Sequence, residues 1–468
     1  MSTESDKPTV LIVGGGLGGL MLGALLEKSN VPYTIFERAA TVKPLGGGMT
    51  IGPTLLPVFE QLGIYDELVS IGKYLTHTFG HKETLEPYKP TDFRPIEEYT
   101  GYVQYLVARP MLYDLLLRQV PAHKIHFGKR VLKISEEDNK VSVHLADNSS
   151  YEGDIIVGAD GAYSAVRQRM YEQLKNKDKL PKSDQEDLPF SCTCLVGQTK
   201  VLNPEDYPIV KEELCQFLIV LGEKKPFTWS LLSTSQNTIT WTVIHHLSKT
   251  TSQAAMEQRF RCNDNSEWGA IPAQAMCDET RDFPIPLGQG KNTMGDIYAL
   301  TPKEQISKVM LEEKVFETWY SGRTVLLGDA CHKLHPAGGH GAVTAMHDAI
   351  ALANLIYAMP MRTSEEVTQV FEEYRSERLP AVMDSFNMSK QMSMIAEKGI
   401  VGAIVLYLVN HIPFWLWKLS LIKMIRFRPQ IGYLPSIPPK GTVVPIVSPS
   451  ELKARAVYEK NRRAAASL

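Results

Sequence analysis

The sequence predicts an α/β protein with a mostly parallel sheet, an inserted antiparallel β-sheet and a C-terminal helical segment. Three observations predict it. Short apolar runs such as Val10–Val13 alternate with helical patterns and end on glycine or acidic turns, at Gly14, Asp160 and Asp329. Between Ser191 and Ile244, β-branched and aromatic runs follow one another across polar turns, which reads as an antiparallel sheet. Beyond residue 361 strand patterns give way to helical ones. The expected division is therefore 1–188 for the first part of a nucleotide-binding domain, with a small β excursion at 76–100, then 189–288 for the β-sheet domain. Residues 289–360 form the second part of the nucleotide domain and 361–468 the helical segment.

The opening unit justifies the nucleotide domain. Thr9–Val13 is a buried strand, and Gly14, Gly16 and Gly19 hold the G-x-G-x-x-G positions at the start of a helix. The first glycine permits a tight turn, the second lets backbone approach a pyrophosphate, and the third lets helix pack on strand. The positive end of that helix favours phosphate. A second strand, Tyr33–Phe36, ends in Glu37, placed to accept hydrogen bonds from an adenosine ribose. This Rossmann-like order makes a dinucleotide site.

The chain's bulk properties narrow the rest. At 468 residues, with 44% hydrophobic and 22% charged content, it has material for two or three globular domains. A net charge of −2 gives no pull toward nucleic acid. The polar start has no secretory layout, and six cysteines without a C-x-x-C pair suit a reducing compartment, so the expected location is cytoplasmic. No metal-ligand cluster is visible in the spacing. His245 and His246 are adjacent and should face opposite sides of a strand.

Leu45–Pro53 is a glycine run that reads either as a loop or as backbone lying close to something flat, and Leu55–Leu68 has helical spacing. Arg109 opens a helix with Pro110 in its first turn, where its forked donors can reach phosphate or ribityl oxygens. Ile155–Gly158 is another buried strand, ending at Asp160-Gly161 before a helix that begins near Ser164. A charged linker at 174–188 leads into the β insert. Val325–Leu327 repeats the strand-to-acid pattern at Gly328-Asp329, and a Pro- and Gly-rich loop then precedes a helix from Ala342 to Ala358.

With these three motifs in order, the chain resembles the FAD-dependent aromatic hydroxylases and epoxidases, the para-hydroxybenzoate hydroxylase-like flavoprotein monooxygenases. It looks closest to fungal members that act on phenolic or prenylated natural products. The resemblance covers about residues 8–360 and rests on the glycine fingerprint with Glu37, the D-G motif (Asp160-Gly161 with Ser164 and Arg167) and the G-D motif (Gly328-Asp329 with His332, Pro336, Gly339 and Gly341). It implies FAD as cofactor, NADPH or NADH as transient co-substrate, dioxygen, and a small aromatic or isoprenoid-like substrate. Glu37 would hold the adenosine ribose, Arg109 the ribityl-pyrophosphate region, Asp329 a ribityl hydroxyl, and the backbone at Gly341 and Ala342 the pyrimidine edge. Gly14, Gly16, Gly19, Arg38, Gly48, Thr50, Asp160, Pro336 and Gly339 complete the implied cofactor set. Two positions depart from the family's pattern, His340 and Val343, where Gln and Asn are common.

The implied reaction inserts one oxygen atom from a flavin hydroperoxide into an electron-rich ring or alkene. The cofactor does the difficult chemistry and the protein positions substrate and excludes water. There is no second fingerprint, so the nicotinamide nucleotide is expected at a surface around Asp160–Arg167. No catalytic side chain is assigned; His245, Tyr207 and Tyr298 are the candidates in the β insert. The competing readings are an oxidase or reductase of the same fold, geranylgeranyl-reductase-like, and a non-enzymatic flavin-binding module. The intact Glu37, Arg109, Asp160 and Asp329 oppose the last.

The C-terminal segment is unlike the rest. Gly399–Trp417 has no charged residue, and from Lys398 through Ser450 there are six Lys and Arg but no Asp or Glu. Residues 399–428 read as an interfacial helix on an anionic intracellular membrane, as a buried or oligomeric helix pair, or as a span. Asn410, His411 and Pro413 break the run and count against spanning.

Overall fold

A computed structural model describes residues 7–42, 47–137, 139–247, 267–268, 270–287, 292–335, 339–396, 404, 406–408 and 410–466. Its first sheet has six strands, with Val10–Val13 near the middle. Tyr33–Phe36 and Ile155–Gly158 flank that strand in parallel, and Thr324–Leu326 runs parallel beyond Ile155–Gly158. Ile125–His126 is the parallel edge on one side and Tyr320–Ser321 the antiparallel edge on the other. Val10, Ile12, Ile155, Ile156 and Val157 are all fully buried, because helix Leu17–Lys28 packs on one face while the three-stranded sheet of Val131–Glu137, Lys140–Leu145 and Ser150–Gly153, with helix Ala165–Lys175, packs on the other; this is why the runs are continuously apolar rather than alternating.

The register brings the motifs together. Val13 pairs with Phe36 and with Gly158, and Gly158 pairs with Leu326. The residues that follow, Gly14, Glu37, Asp160 and Asp329, therefore leave the sheet at one edge, its carboxyl ends, where open α/β sheets bind ligands.

The insert sheet has eight strands in the order Glu267–Trp268, Ser307–Glu312, Phe190–Gln198, Ile239–His246, Phe227–Ser233, Phe217–Leu221, His77–Lys82 and Thr91–Asp92. It thus recruits strands from both sides of the 189–288 interval: His77–Lys82 pairs in parallel with Phe217–Leu221, and Ser307–Glu312 pairs antiparallel with Phe190–Gln198. One face packs Leu195, Trp229, Leu231, Trp241 and Val243 against the helices Ala270–Thr280 and Met294–Ala299. The other face turns to the nucleotide domain, where a Cβ on Gly48 would lie 2.9 Å from Thr240 Oγ1.

The helical spacing over 55–68 resolves into two helices, Leu56–Leu62 and Tyr65–Ile71, because Gly63 turns left-handed (φ 77°) between them. Helix Pro449–Ala466 packs on helix Gly341–Ala358, and a strap before it locks that helix in place. Asn354 donates to Gln430 O and accepts from Gly432 N, both at 2.9 Å, while the Tyr433 hydroxyl donates to Leu25 O at 2.9 Å. Part of the uncharged C-terminal run lies outside the described residues. Its helix Phe414–Ile425 buries Leu421 and Ile425 against Ile96 and Tyr99. Its other side leaves Phe414, Trp415 and Leu419 exposed, at 48%, 65% and 53%. Among the described residues no helix is long and apolar enough to cross a membrane.

Candidate functional site

Gly14 takes φ 111°, and a Cβ there would sit 2.4 Å from Ala159 O; at Gly19 it would sit 2.1 Å from Gly14 O. Both positions are closed to any side chain. Gly16 differs, with no atom within 4 Å of its missing Cβ. It is the N-cap of helix Leu17–Lys28, which no side chain caps, so unpaired N–H groups face open space there. Glu37 folds back over this turn, its carboxylate accepting from Gly15 N and from Ala39 N at 2.8 Å each. Lone pairs remain on both oxygens for further donors. Arg38 is exposed beside it. Tyr113, which no motif marks, belongs to the same corner. Its hydroxyl is buried without a hydrogen-bond partner, and burial, then the Glu37 charge, pushes it up to about 12.

The G-D loop meets the fingerprint helix directly. Gly328 takes φ 62°, and a Cβ on it would lie 2.8 Å from Ala345 Cβ; one on Gly18 would lie 3.3 Å from the same atom. The first turns of helices Leu17–Lys28 and Gly341–Ala358 therefore abut, and neither carries a side-chain cap. Two positive helix ends lie side by side. Gly341 is 4.0 Å (from its missing Cβ) from Asp329 Oδ1, and Ala342 is half-buried in the same first turn. An unbroken line of contacts thus runs from Glu37 through Gly15, Gly18 and Ala345 to Gly341 and Asp329. Gly339 takes φ 63° into open space, while Pro336 lies outside the described residues. Burial holds the His340 imidazole below its usual range, so it is neutral at this helix end.

Asp329 pairs with Lys333 at 2.5 Å. Burial opposes its ionisation, but the Lys333 ammonium outweighs that, with His332 and Arg109 adding to it, and the carboxyl stays below its usual range. Arg109 itself is exposed at the start of helix Arg109–Leu117, its N–H bonded to Gly47 O at 3.3 Å. Behind the loop, Asp348 accepts from Arg378 Nε at 2.8 Å and from Gly328 N at 3.0 Å, and meets His332 Nε2 at 2.5 Å. These residues clamp the loop to two helices. Cys331 Sγ, a His332 nitrogen and an Asp348 oxygen also lie within 4.8 Å of one another. The Asp348 oxygens are already engaged, and burial pushes the Cys331 thiol well above its usual range, so the trio serves as a clamp.

The D-G motif spends its polar groups on its own helix and on the G-D loop. Asp160 accepts from Ser164 Oγ at 2.5 Å and from Ala165 N at 2.7 Å, capping helix Ala165–Lys175. Arg167 is 5% exposed and donates to Ala162 O at 2.6 Å and Ala330 O at 2.7 Å, its guanidinium over the Phe316 ring. Of the stretch Asp160–Arg167, expected at a nicotinamide-binding surface, Ser164, Val166 and Arg167 are buried and Arg167 clasps the second motif to the third, while Asp160 to Tyr163 and Ala165 are half-buried.

Gly48 and Thr50 lie in strand Gly48–Ile51, opposite Ala108 and Leu106. The flatness expected over Gly48 is supplied in part by protein, since Leu106 and Thr240 crowd it. Strand alternation then sorts the insert's candidates. His245 lies on the helix-covered face, stacked on Phe227 at 4.2 Å; Tyr298 bonds Thr280 at 2.6 Å beneath Trp241; Tyr207 packs on the same core. None of the three faces the nucleotide domain. His246 does, bonded to Thr228 at 3.0 Å with Cys192 Sγ 3.5 Å from its other nitrogen, and His335 reaches Cys192 at 3.3 Å. Burial pushes His246 down to about 4.

A family model described as FAD binding domain matches residues 7–195 and 289–389. Among curated relatives, the FAD-dependent monooxygenase nodM of Hypoxylon pulicicidum is 28% identical over 416 residues, covering 86% of this chain and 84% of that protein. The FAD-dependent monooxygenase atmM of Aspergillus flavus is 26% identical over 447 residues, covering 92% and 88%. Among solved structures, Klebsiella pneumoniae HpxO complexed with FAD and uric acid superposes with a TM-score of 0.68 at 19% identity, over 89% of this chain and 96% of that one.

Proposed function

The chain belongs to the family described as FAD binding domain, and from that premise we propose that it is an FAD-dependent, NAD(P)H-consuming monooxygenase acting on a neutral, lipophilic, isoprenoid-like or aromatic substrate. The residues fit the cofactor: two uncapped helix ends, the open space over Gly16 and the orphaned Tyr113 hydroxyl all lie along one line. Bound there and reduced by NAD(P)H, FAD supplies an electrophilic oxygen derived from dioxygen. Glu37 receives the adenosine ribose, Gly16 the pyrophosphate, Asp329 and Arg109 the ribityl region, and the N–H groups at Gly341 and Ala342 the pyrimidine edge. Those N–H groups and their dipole stabilise negative charge at that edge without reorganisation.

One observation carries the substrate class. On the face turned to the nucleotide domain, the five strands from Ser307–Glu312 to Phe217–Leu221 present Val196, Ile219, Ile244 and Val309, all half-exposed, and Glu312, buried at the end of its strand, is the one carboxylate among them. Ser230 and Thr242 spend their hydroxyls on each other at 2.7 Å, and Thr228 spends its own on His246 at 3.0 Å. Such a face desolvates an alkene or neutral ring at little cost and a phenolate at high cost. An incubation with NADPH, ¹⁸O₂ and a neutral prenylated arene is expected to place one labelled atom in the product as an epoxide or alcohol. Unlabelled oxidised or reduced product would instead mean an oxidase or reductase.

The exposed side of helix Phe414–Ile425, with Trp415 and the nearby Lys418, Lys423 and Arg426, docks on an anionic membrane from which such a substrate is drawn. Co-sedimentation with phosphatidylserine vesicles is expected to fall by about tenfold in Trp415→Ala with Leu419→Ala, the equivalent of roughly 1.4 kcal/mol. Equal sedimentation of variant and parent would refute it.

A further inference from the structure

Behind the Asp329–Lys333 pair lies a carboxylate that the proposed reaction does not use. Glu312 ends the strand Ser307–Glu312 and is 1% exposed. The hydroxyl of Tyr163, from the D-G loop, donates to its Oε1. The strand Lys314–Val315, which follows two residues after Glu312, pairs with His332–Lys333 of the G-D loop, Lys314 opposite Lys333, and so brings Lys333 alongside; its positive charge favours ionisation of Glu312 and the negative charge of Asp329 opposes it. Arg109 bears on both members of that pair from the helix entrance. One buried acid therefore touches or senses all the parts that meet here: the insert sheet, the D-G loop and the G-D loop.

We propose that Glu312 is a positioning residue which, through Lys333, sets how freely Asp329 can accept a hydroxyl from the cofactor's ribityl chain. The inference rests on the FAD reading above. Lys333 is paired with Asp329 and lies within the electrostatic reach of Glu312. While Glu312 holds its proton, Lys333 stays fully on Asp329 and competes with any hydroxyl there. When Glu312 ionises, it draws Lys333 toward itself and leaves an Asp329 oxygen available. Burial, against the weaker pull of Lys333, pushes Glu312 up to about 7, so this exchange falls in the neutral range. The sign follows from linkage: ionisation favours binding, so binding favours ionisation, and FAD affinity rises with pH.

The test strips flavin from the full chain and titrates FAD back by fluorescence between pH 5.5 and 8.5. The parent is expected to bind about threefold or more tightly at the top of the range, the effect of roughly half a unit of displaced pKa. Glu312→Gln, fixed in the protonated shape, and Lys333→Met, which cuts the transmission, are expected to give flat profiles, while Glu312→Asp keeps a sloping one. Circular dichroism and thermal melting of each variant show that it is folded. A Glu312→Gln profile as steep as the parent's, or a uniform loss of affinity with the slope kept, overturns the proposal and leaves the FAD reading intact. No flavin binding by the folded parent at any pH overturns both.

Discussion

The line from Glu37 to Gly341 and the insert sheet that faces it are built on opposite principles. Along the line, the work falls to backbone: glycines packed too tightly for a Cβ, as at Gly14, Gly19 and Gly328, others that leave open space, as at Gly16, and helix ends without caps. In the sheet, backbone is ordinary and function sits in which side of each strand faces in. Trp241 and Thr242 are neighbours, yet one is fully buried under helices and the other half-exposed toward the nucleotide domain. The first kind of region admits no side chain at Gly14 or Gly19. The second separates stability from specificity between its two faces.

That separation can be broken most forcefully at Trp241. It is fully buried, and its indole N–H donates to Thr301 Oγ1 at 2.9 Å. Trp241→Ala is expected to cost about 4 kcal/mol and to leave the hydroxyl acceptor without its donor. Ile244→Ala, on the facing side, is expected to cost only about 1 kcal/mol. It should still raise KM for a lipophilic substrate by about fivefold, at constant kcat, through lost apolar contact. Urea unfolding and steady-state kinetics on the pair measure both. Equal destabilisation by the two would mean that the sheet has no distinct substrate face.

The same contrast explains what was legible in the sequence. The fingerprint, D-G and G-D motifs could be read because a glycine or a strand-ending acid has few alternative uses at those points, and parallel register brings their ends together automatically. That His245 and His246 point apart was readable too, from strand geometry alone. Which of them faces the nucleotide domain was not, because that depends on where helices Ala270–Thr280 and Met294–Ala299 pack. The inward turn of Arg167 escaped for a related reason: its partners, Ala162 O and Ala330 O, are backbone atoms, one of them 163 residues away, and carry no sequence signal. Arg378 and Glu312 were hidden the same way, each an ordinary charged residue made functional only by what is folded around it. Even the split of the 55–68 helix needed Gly63 to be recognised as a terminator and not as a tolerated helical glycine.

The finest distinction lies inside the fingerprint itself, between glycines that serve the fold and a glycine that serves the ligand. Gly19→Ala drives a methyl group against Gly14 O and is expected to cost about 2 kcal/mol as overpacking, with FAD affinity falling as a consequence of the displaced turn. Gly16→Ala meets no protein atom, so its melting midpoint without flavin should match the parent's, within about 0.5 kcal/mol. Its methyl group occupies the space a pyrophosphate must enter, so FAD binding should still weaken by roughly tenfold, or 1.4 kcal/mol. Differential scanning with and without FAD separates the two variants: Gly19→Ala shifts both curves, and Gly16→Ala only the loaded one. If Gly16→Ala bound FAD as well as the parent, the open space at the helix end would not be where the phosphates sit, and the line from Glu37 to Gly341 would lose its middle.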